Sequence, residues 1–145
     1  MTPPDDPPRL RIRIVFGEDE MMGPGRADLL EGIARTGSIA AAGREMRMSY
    51  KRAWSLIEAM NAMFREPVVQ GTRGGPGVGG AVLTETGERV LALYRGLEEA
   101  AAVAGAGAVD ELRALLREDA GSGPLTGAPE ADDMSVQTYP PESTP

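Results

Sequence analysis

The sequence predicts a mainly α-helical fold with a small β-sheet, in the element order β-α-α-α-β-β-α. Three observations support this order. Between residues 23 and 103, four segments combine helix-capping residues with apolar residues at helical spacing. Two short β-prone runs, PVVQGT and AVLT, flank a glycine-rich stretch and predict a hairpin with a long loop. A third β-prone run precedes the first helix and predicts a strand at the start of the domain.

One folded domain with unstructured ends is expected from the composition. The chain has 145 residues, enough for one modest core, but also 19 Gly and 12 Pro. Pro dominates the first eight residues, and the last 25 are rich in Gly, Pro, Ser, Thr and acid. We therefore expect a disordered leader (1–8), a folded domain (9–103), a short amphipathic helix (104–120) and a disordered acidic tail (121–145).

Charge is distributed unevenly along the chain. The net charge is −7, yet residues 9–95 contain 13 Lys and Arg and 10 Asp and Glu. The residues before and after this range therefore contain 2 Lys and Arg and 12 Asp and Glu. The part expected to fold is therefore mildly basic, which suits a nucleic-acid partner better than the net charge suggests.

Several classes of function are excluded by the composition. The chain contains no Cys and no His, which removes disulfides, the usual zinc ligands and catalysis by Cys-His or Ser-His-Asp groups. We expect neither enzyme activity nor a cofactor, and we attribute the eight Met residues to packing rather than to a metal site. No apolar run approaches 18 residues and no basic-then-apolar leader is seen, so we expect a cytoplasmic protein without a membrane partner.

The first predicted element is the strand RLRIRIVF, residues 9–16. Arg9, Arg11 and Arg13 alternate with apolar residues, which is the period of a half-buried strand. The arginines can face a phosphate backbone, but we favour a role in protecting an exposed strand edge against aggregation.

Capping residues delimit the four predicted helices. The first begins near Pro24 and ends at Gly37. Ser38 caps a short Ala-rich helix, IAAAGREM, and Ser49 caps a third helix, YKRAWSLIEAMNAMF. Thr84 caps the fourth, which follows the hairpin. The apolar arc of the third helix comprises Ala53, Leu56, Ile57, Met60, Met63 and Phe64, and we expect Trp54, on its flank, to pack rather than to contact DNA.

The second and third helices, joined by a tight turn, form the pattern of a helix-turn-helix, and the hairpin after them is typical of a wing. The third helix begins with hydroxyl and cationic side chains at its positive end, where phosphate is attracted. A solvated cationic face is the alternative explanation, but the cap and the following hairpin favour DNA contact. The candidate DNA-binding residues are Ser38, Ser49, Tyr50, Lys51, Arg52, Ser55 and, at the wing tip, Arg73.

The segments GSIAAAGREMRMSYKRAWSLIEAMN, FREPVV and GTRGGPGVGGAVLTETGERVLALYRGLE resemble the N-terminal winged-helix domain of ModE-type molybdate-responsive transcriptional regulators, itself related to LysR-type DNA-binding domains. The resemblance runs from about Leu10 to Glu99. It implies a homodimeric regulator that binds double-stranded DNA through the helix starting at Ser49. We expect the dimer interface on the first and fourth helices, with a contribution from residues 109–116.

Two departures from the family pattern stand out. Arg47 occupies a turn position where the family often has Gly. The residues after Glu99 are too few and too low in complexity to hold a molybdate-binding domain, so we do not expect molybdate binding.

The glycine run also contains a formal G-x-G-x-x-G match, at Gly75, Gly77 and Gly80. A dinucleotide site requires a helix directly after the glycines, whereas β-prone AVLT follows, and no Gly-Lys-Ser/Thr completes a phosphate loop. An anion-binding nest of backbone N–H groups remains open. Two other functions remain open for the whole domain, a protein-binding adaptor that does not bind DNA and an oxyanion sensor.

Overall fold

The computed structural model describes residues 7–72 and 80–117, and it confirms a mainly α-helical fold with small two-stranded sheets. The helices are α1 (Pro24–Thr36), α2 (Ile39–Glu45), α3 (Tyr50–Met63), α4 (Glu85–Ala104) and α5 (Ala106–Ala114). The strands are β1 (Ile14–Gly17), β2 (Glu20–Met22), β3 (Val69–Thr72) and β4 (Gly80–Leu83), paired antiparallel as β1-β2 and β3-β4. In these ranges no helix is both long and apolar enough to cross a membrane.

The first strand is shorter than predicted. It begins at Ile14 rather than at Arg9, and it turns back into β2, a strand that the sequence did not predict. The three residues of β2 offer no pairing partner to the segment before Ile14, and a strand requires such a partner. The Ile12 carbonyl instead accepts a hydrogen bond from the Tyr94 hydroxyl of α4. The arginines of this segment are exposed, as the alternation predicted.

Helix α1 lies at the centre of the domain and packs against α2, α4 and β4. Its residues Leu29, Leu30 and Ile33 are fully buried. The apolar arc of α3 lies in the same core, as predicted, with Ala53, Ile57 and Met60 buried. Burying these two apolar faces fixes which face of α3 is left to solvent.

The three predicted serine and threonine caps are present. The Ser38 hydroxyl accepts the Ala41 N–H at 3.0 Å, and the Ser49 hydroxyl accepts the Arg52 N–H at 3.0 Å. Thr84 accepts the Gly87 N–H at 3.0 Å and donates to the Pro67 carbonyl at 2.6 Å, which ties the start of α4 to the wing. The starts of α2, α3 and α4 therefore each have a side-chain acceptor for a backbone N–H that the helix itself leaves unpaired.

The turn between α2 and α3 holds Arg47 in a left-handed conformation, with φ of 60°. The backbone N–H groups of Met46 and Met48 both donate to the Gly43 carbonyl at 3.0 Å, so the turn is closed tightly around this residue. A left-handed conformation costs a side-chain-bearing residue about 1 kcal/mol relative to Gly. Arg47, which replaces the Gly frequent in the family, is thus the one non-Gly residue with positive φ in the described part of the chain.

We expect Arg47→Gly to raise the free energy of unfolding by about 1 kcal/mol, because Gly adopts this conformation without strain. Arg44→Gly is the matched control, since it removes the same charge from the last turn of α2, where the backbone is helical. The free energy of unfolding of Arg44→Gly should fall by about 1 kcal/mol, the usual cost of Gly in a helix. Thermal unfolding followed by circular dichroism measures both, and equal shifts in the two variants would contradict the assignment of strain to Arg47.

Candidate nucleic-acid interface

The start of α3 presents the predicted contact residues to solvent. Tyr50, Lys51, Arg52 and Ser55 are all exposed; Lys51 and Ser55 lie opposite the buried arc of the helix, and Tyr50 and Arg52 lie on its two flanks. Neither Lys51 nor Arg52 forms an ion pair with any residue that the structure describes. Their charges are therefore available at a helix N-terminus that itself attracts anions.

The two predicted serines lie at the starts of adjacent helices. Ser49 is exposed and Ser38 is half-buried, and both hydroxyl oxygens accept the cap hydrogen bonds described above. Ser38 faces α3 across a groove that Tyr50 also lines. The structure thus places five of the seven predicted residues in or beside the first two turns of α3, and the sixth, Ser38, across the groove from Tyr50. The seventh, Arg73, lies outside the described residues, together with Gly75 and Gly77 of the glycine run.

A second group of arginines lies beside α3. Arg26 of α1 is half-buried, and its guanidinium donates to the Met21 carbonyl at 3.0 Å and contacts the Met63 sulfur at 3.8 Å. Burial lowers the pKa of Arg26, and the nearby charges of Arg13 and Arg52 lower it further. The flank of α3 that carries Arg52 is therefore a region of concentrated positive charge.

The carboxylates near this region are either paired or displaced along the helix. Glu45 at the end of α2 accepts two hydrogen bonds from Arg35, at 2.9 and 2.6 Å, and this pairing holds the pKa of Glu45 below its usual range. Glu58 is exposed but lies two turns beyond the start of α3. The first turn of α3 is consequently left cationic.

Asn61 attaches the wing to α3, and the sequence analysis did not identify it. Its carbonyl oxygen accepts the Val68 N–H at 2.7 Å and the Val69 N–H at 3.2 Å, and its amide donates to the Val69 carbonyl at 3.2 Å. These bonds set the position of β3, and hence of the hairpin, relative to α3. A polar residue on the flank of an apolar arc was the only sequence signal for this role.

Trp54, which we expected to pack rather than to contact DNA, lies only partly buried on the flank of α3. Its side chain is 45% exposed and lines the groove between α3, the start of α2 and the wing strands. The groove has a volume of about 340 Å³. Trp54 is one helical turn beyond Tyr50, so both aromatic rings stand on the wing-facing flank of α3, where the sequence analysis assigned Tyr50 but not Trp54 to DNA contact.

These features define a winged helix-turn-helix domain, with α2 and α3 as the two-helix unit and β3-β4 as the wing. The strand that follows the glycine run, β4, excludes the strand-then-helix arrangement that a dinucleotide fingerprint needs.

Comparison with known proteins confirms the resemblance to ModE-type regulators. The chain is 51% identical over 77 residues to the molybdenum-pterin-binding protein MopB of Rhodobacter capsulatus, a match that covers 53% of this chain and 28% of MopB. It is 44% identical over 71 residues to the DNA-binding transcriptional dual regulator ModE of Escherichia coli K12, covering 49% of this chain and 27% of that protein. The matched segment is thus less than a third of the length of these relatives, and no protein-family profile matches the chain.

A solved structure of the CbnR DNA-binding domain in complex with DNA is also similar. The superposition covers 64% of this chain and 97% of that domain, with a TM-score of 0.47 and 24% sequence identity.

Proposed function

We propose that this winged helix-turn-helix domain binds double-stranded DNA in a sequence-specific manner and regulates transcription. The observation that carries the proposal is the capped, exposed start of α3, where Lys51 and Arg52 lack carboxylate partners among the described residues. The relatives named as ModE regulators support the same function. A DNA-binding regulator acts in the compartment that contains the DNA, and this agrees with the cytoplasmic location expected from the sequence.

In this proposal the first two turns of α3 enter the major groove. Lys51 and Arg52 contact phosphates or guanine edges, and Ser49, Tyr50 and Ser55 supply hydroxyl groups for phosphates or base edges. Ser38, at the start of α2, lies beside the backbone at the rim of the groove. Arg73 is proposed to reach along the adjacent backbone or minor groove from the wing tip.

Selection of bound sequences from a pool of random duplexes tests the proposal with the full chain. We expect enrichment of one motif over successive rounds and a mobility shift with the enriched duplex. A chain that enriches no motif, yet is monodisperse and folded, would overturn the proposal and favour the protein-binding adaptor.

We further propose that the domain acts as a homodimer. Large apolar side chains are exposed along α4 and α5, with Leu93, Leu112 and Leu115 at 61%, 64% and 80% exposure. No residue of α5 is buried, although the helix is amphipathic. Large apolar side chains left exposed on two neighbouring helices support an interface there, because burying them against a second chain removes apolar surface from water.

The proposed interface differs from the one expected from the sequence in its use of α1. The apolar residues of α1 are buried within the domain, and its exposed Asp28 and Glu31 bind Arg95 of α4 at 2.8 and 2.6 Å. This ion-paired seam joins α1 to α4 within one chain. We therefore place the dimer contact on α4 and α5 and not on α1.

Leu112→Asp tests this interface, because it puts a charge into the apolar face without disturbing a buried contact. We expect the wild-type chain to sediment at twice the monomer mass of 15.3 kDa and the variant at the monomer mass. Glu111→Asp, one residue away on the same helix, is the control and should remain dimeric. A wild-type chain that is monomeric at high micromolar concentration would rule out the homodimer.

A further inference from the structure

The groove beside α3 has a chemistry distinct from that of the cationic helix start. Trp54 is the single tryptophan of the chain, and 45% of its side chain is exposed to solvent. Tyr50, one turn earlier, is 57% exposed and lines the same groove. Two large aromatic rings left in water on one helix flank carry an unfavourable hydration free energy that a bound partner would relieve.

The groove does not have the composition of a phosphate site. Among the described residues, its lining includes no charged side chain; it combines the polar side chains of Ser38 and Asn61 with apolar groups such as Ile39. Phosphate recognition relies on Lys, Arg or clustered N–H donors, which stand outside the groove at Lys51 and Arg52. The groove is therefore suited to an uncharged, partly apolar edge of the nucleic acid.

In the proposed binding mode, Trp54 lies in the part of α3 that enters the major groove. It is the fifth residue of the helix and lies about 6 Å along the axis from Tyr50. The N-terminal turns of a recognition helix contact base edges in the major groove. The apolar group that a base presents there is the 5-methyl group of thymine, which apolar side chains contact.

We propose that Trp54 is a specificity-determining residue whose indole packs against the 5-methyl group of a thymine in each half-site. The indole N–H has no hydrogen-bond partner among the described residues, so it can donate to a neighbouring acceptor on the base edge. Tyr50 supports the ring from the preceding turn. This inference rests on the proposed DNA-binding function and adds to it a base preference that Lys51 and Arg52 do not provide.

Replacement of thymine by deoxyuridine tests the inference, because it removes the methyl group alone. The probe is the highest-affinity duplex recovered from random selection, with each thymine replaced in turn and affinity measured by fluorescence anisotropy. We expect one thymine per half-site at which wild-type affinity falls about fourfold, the contribution of one buried methyl group. Replacement at other thymines should change affinity less than about 1.5-fold.

Variants at Trp54 separate base reading from a structural role. Trp54→Ala should bind the thymine duplex at least about fivefold more weakly than wild type, and it should bind the thymine and deoxyuridine duplexes equally. Trp54→Phe keeps an apolar ring and should keep the thymine preference. In the wild-type chain, emission from Trp54 should shift to shorter wavelength on binding, with reduced quenching by acrylamide.

The outcomes distinguish this inference from the proposed function. A wild-type chain that binds no selected duplex would overturn both. If it binds the selected duplex but shows no thymine preference at any position, this inference alone is overturned. A thymine preference that persists in Trp54→Ala would likewise assign the methyl contact to another residue.

Discussion

Replacement of Gly87 by alanine is expected to destabilise the domain by about 3 kcal/mol or more. Gly87 lies in the first turn of α4, directly against the residue that precedes β3. A Cβ atom at this position would stand 2.0 Å from the Val68 carbonyl oxygen and 2.9 Å from its carbon. These are main-chain atoms, so no side-chain rotation relieves the overlap.

The surrounding hydrogen bonds prevent the backbone from moving aside. The Val68 carbonyl accepts the Thr84 N–H at 3.0 Å, and the Val68 N–H donates to Asn61. Separating Val68 from Gly87 therefore disrupts the attachment of the wing to both α3 and α4.

Gly96→Ala is the control in the same helix. A Cβ atom there meets no other atom within 4 Å, so Gly96→Ala should stabilise the protein by about 0.5–1 kcal/mol through helix propensity. Urea unfolding followed by circular dichroism measures the free energy of unfolding of each variant. If Gly87→Ala were as stable as Gly96→Ala, the close approach of α4 to Val68 would be wrong.

Replacement of Lys51 and Arg52 by alanine is expected to weaken binding to the selected duplex about 100-fold or more. Each hydrogen bond to a charged group contributes about 1.5–3 kcal/mol, and both side chains are exposed without carboxylate partners among the described residues. The slope of log affinity against log salt should also become shallower by about two for each bound subunit. Anisotropy titrations at several salt concentrations give both quantities.

A control of equal charge separates position from net charge. Arg65, just beyond α3, and Arg89 of α4 are both exposed, and their replacement removes the same two charges from other parts of the domain. Arg65→Ala with Arg89→Ala should lower affinity less than about fivefold, since only long-range attraction is lost. Equal losses in the two double variants would assign the effect of Lys51 and Arg52 to net charge rather than to contact.

Features that depend on neighbouring residues in the chain were predictable from the sequence. The caps at Ser38, Ser49 and Thr84 are local hydrogen bonds with a recognisable residue type, and all three are present. The buried arc of α3 follows from helical periodicity. The wing strands β3 and β4 follow from two β-prone runs around glycines, and they pair as predicted.

Features that depend on contacts distant in the sequence were not predictable. Strand β2 has three residues, too few for any alternation to show, and it exists because β1 provides its partner. The role of Asn61 depends on where β3 passes, and the exposure of Trp54 depends on the groove that the wing strands create. Helical periodicity places Trp54 on a flank of α3, but only the tertiary arrangement determines whether that flank is covered.

The strain at Arg47 belongs between these two cases. The resemblance to the ModE family marks the position as one where Gly is frequent, but the sequence does not show that the backbone keeps the left-handed conformation with Arg. The structure shows that it does, with φ of 60°. The hydrogen bonds to Gly43 on either side of Arg47 account for this, because they set the turn irrespective of the side chain.

The central claim is that the exposed end of α3 reads the sequence of duplex DNA. Its most direct test is the equilibrium affinity of the wild-type chain for the selected duplex and for a scrambled duplex of the same length and composition, at about 0.15 M salt. We predict that the selected duplex binds about 1,000-fold more tightly, a ratio typical of specific recognition. Equal affinities for the two duplexes would contradict the claim, because phosphate contacts alone do not distinguish them.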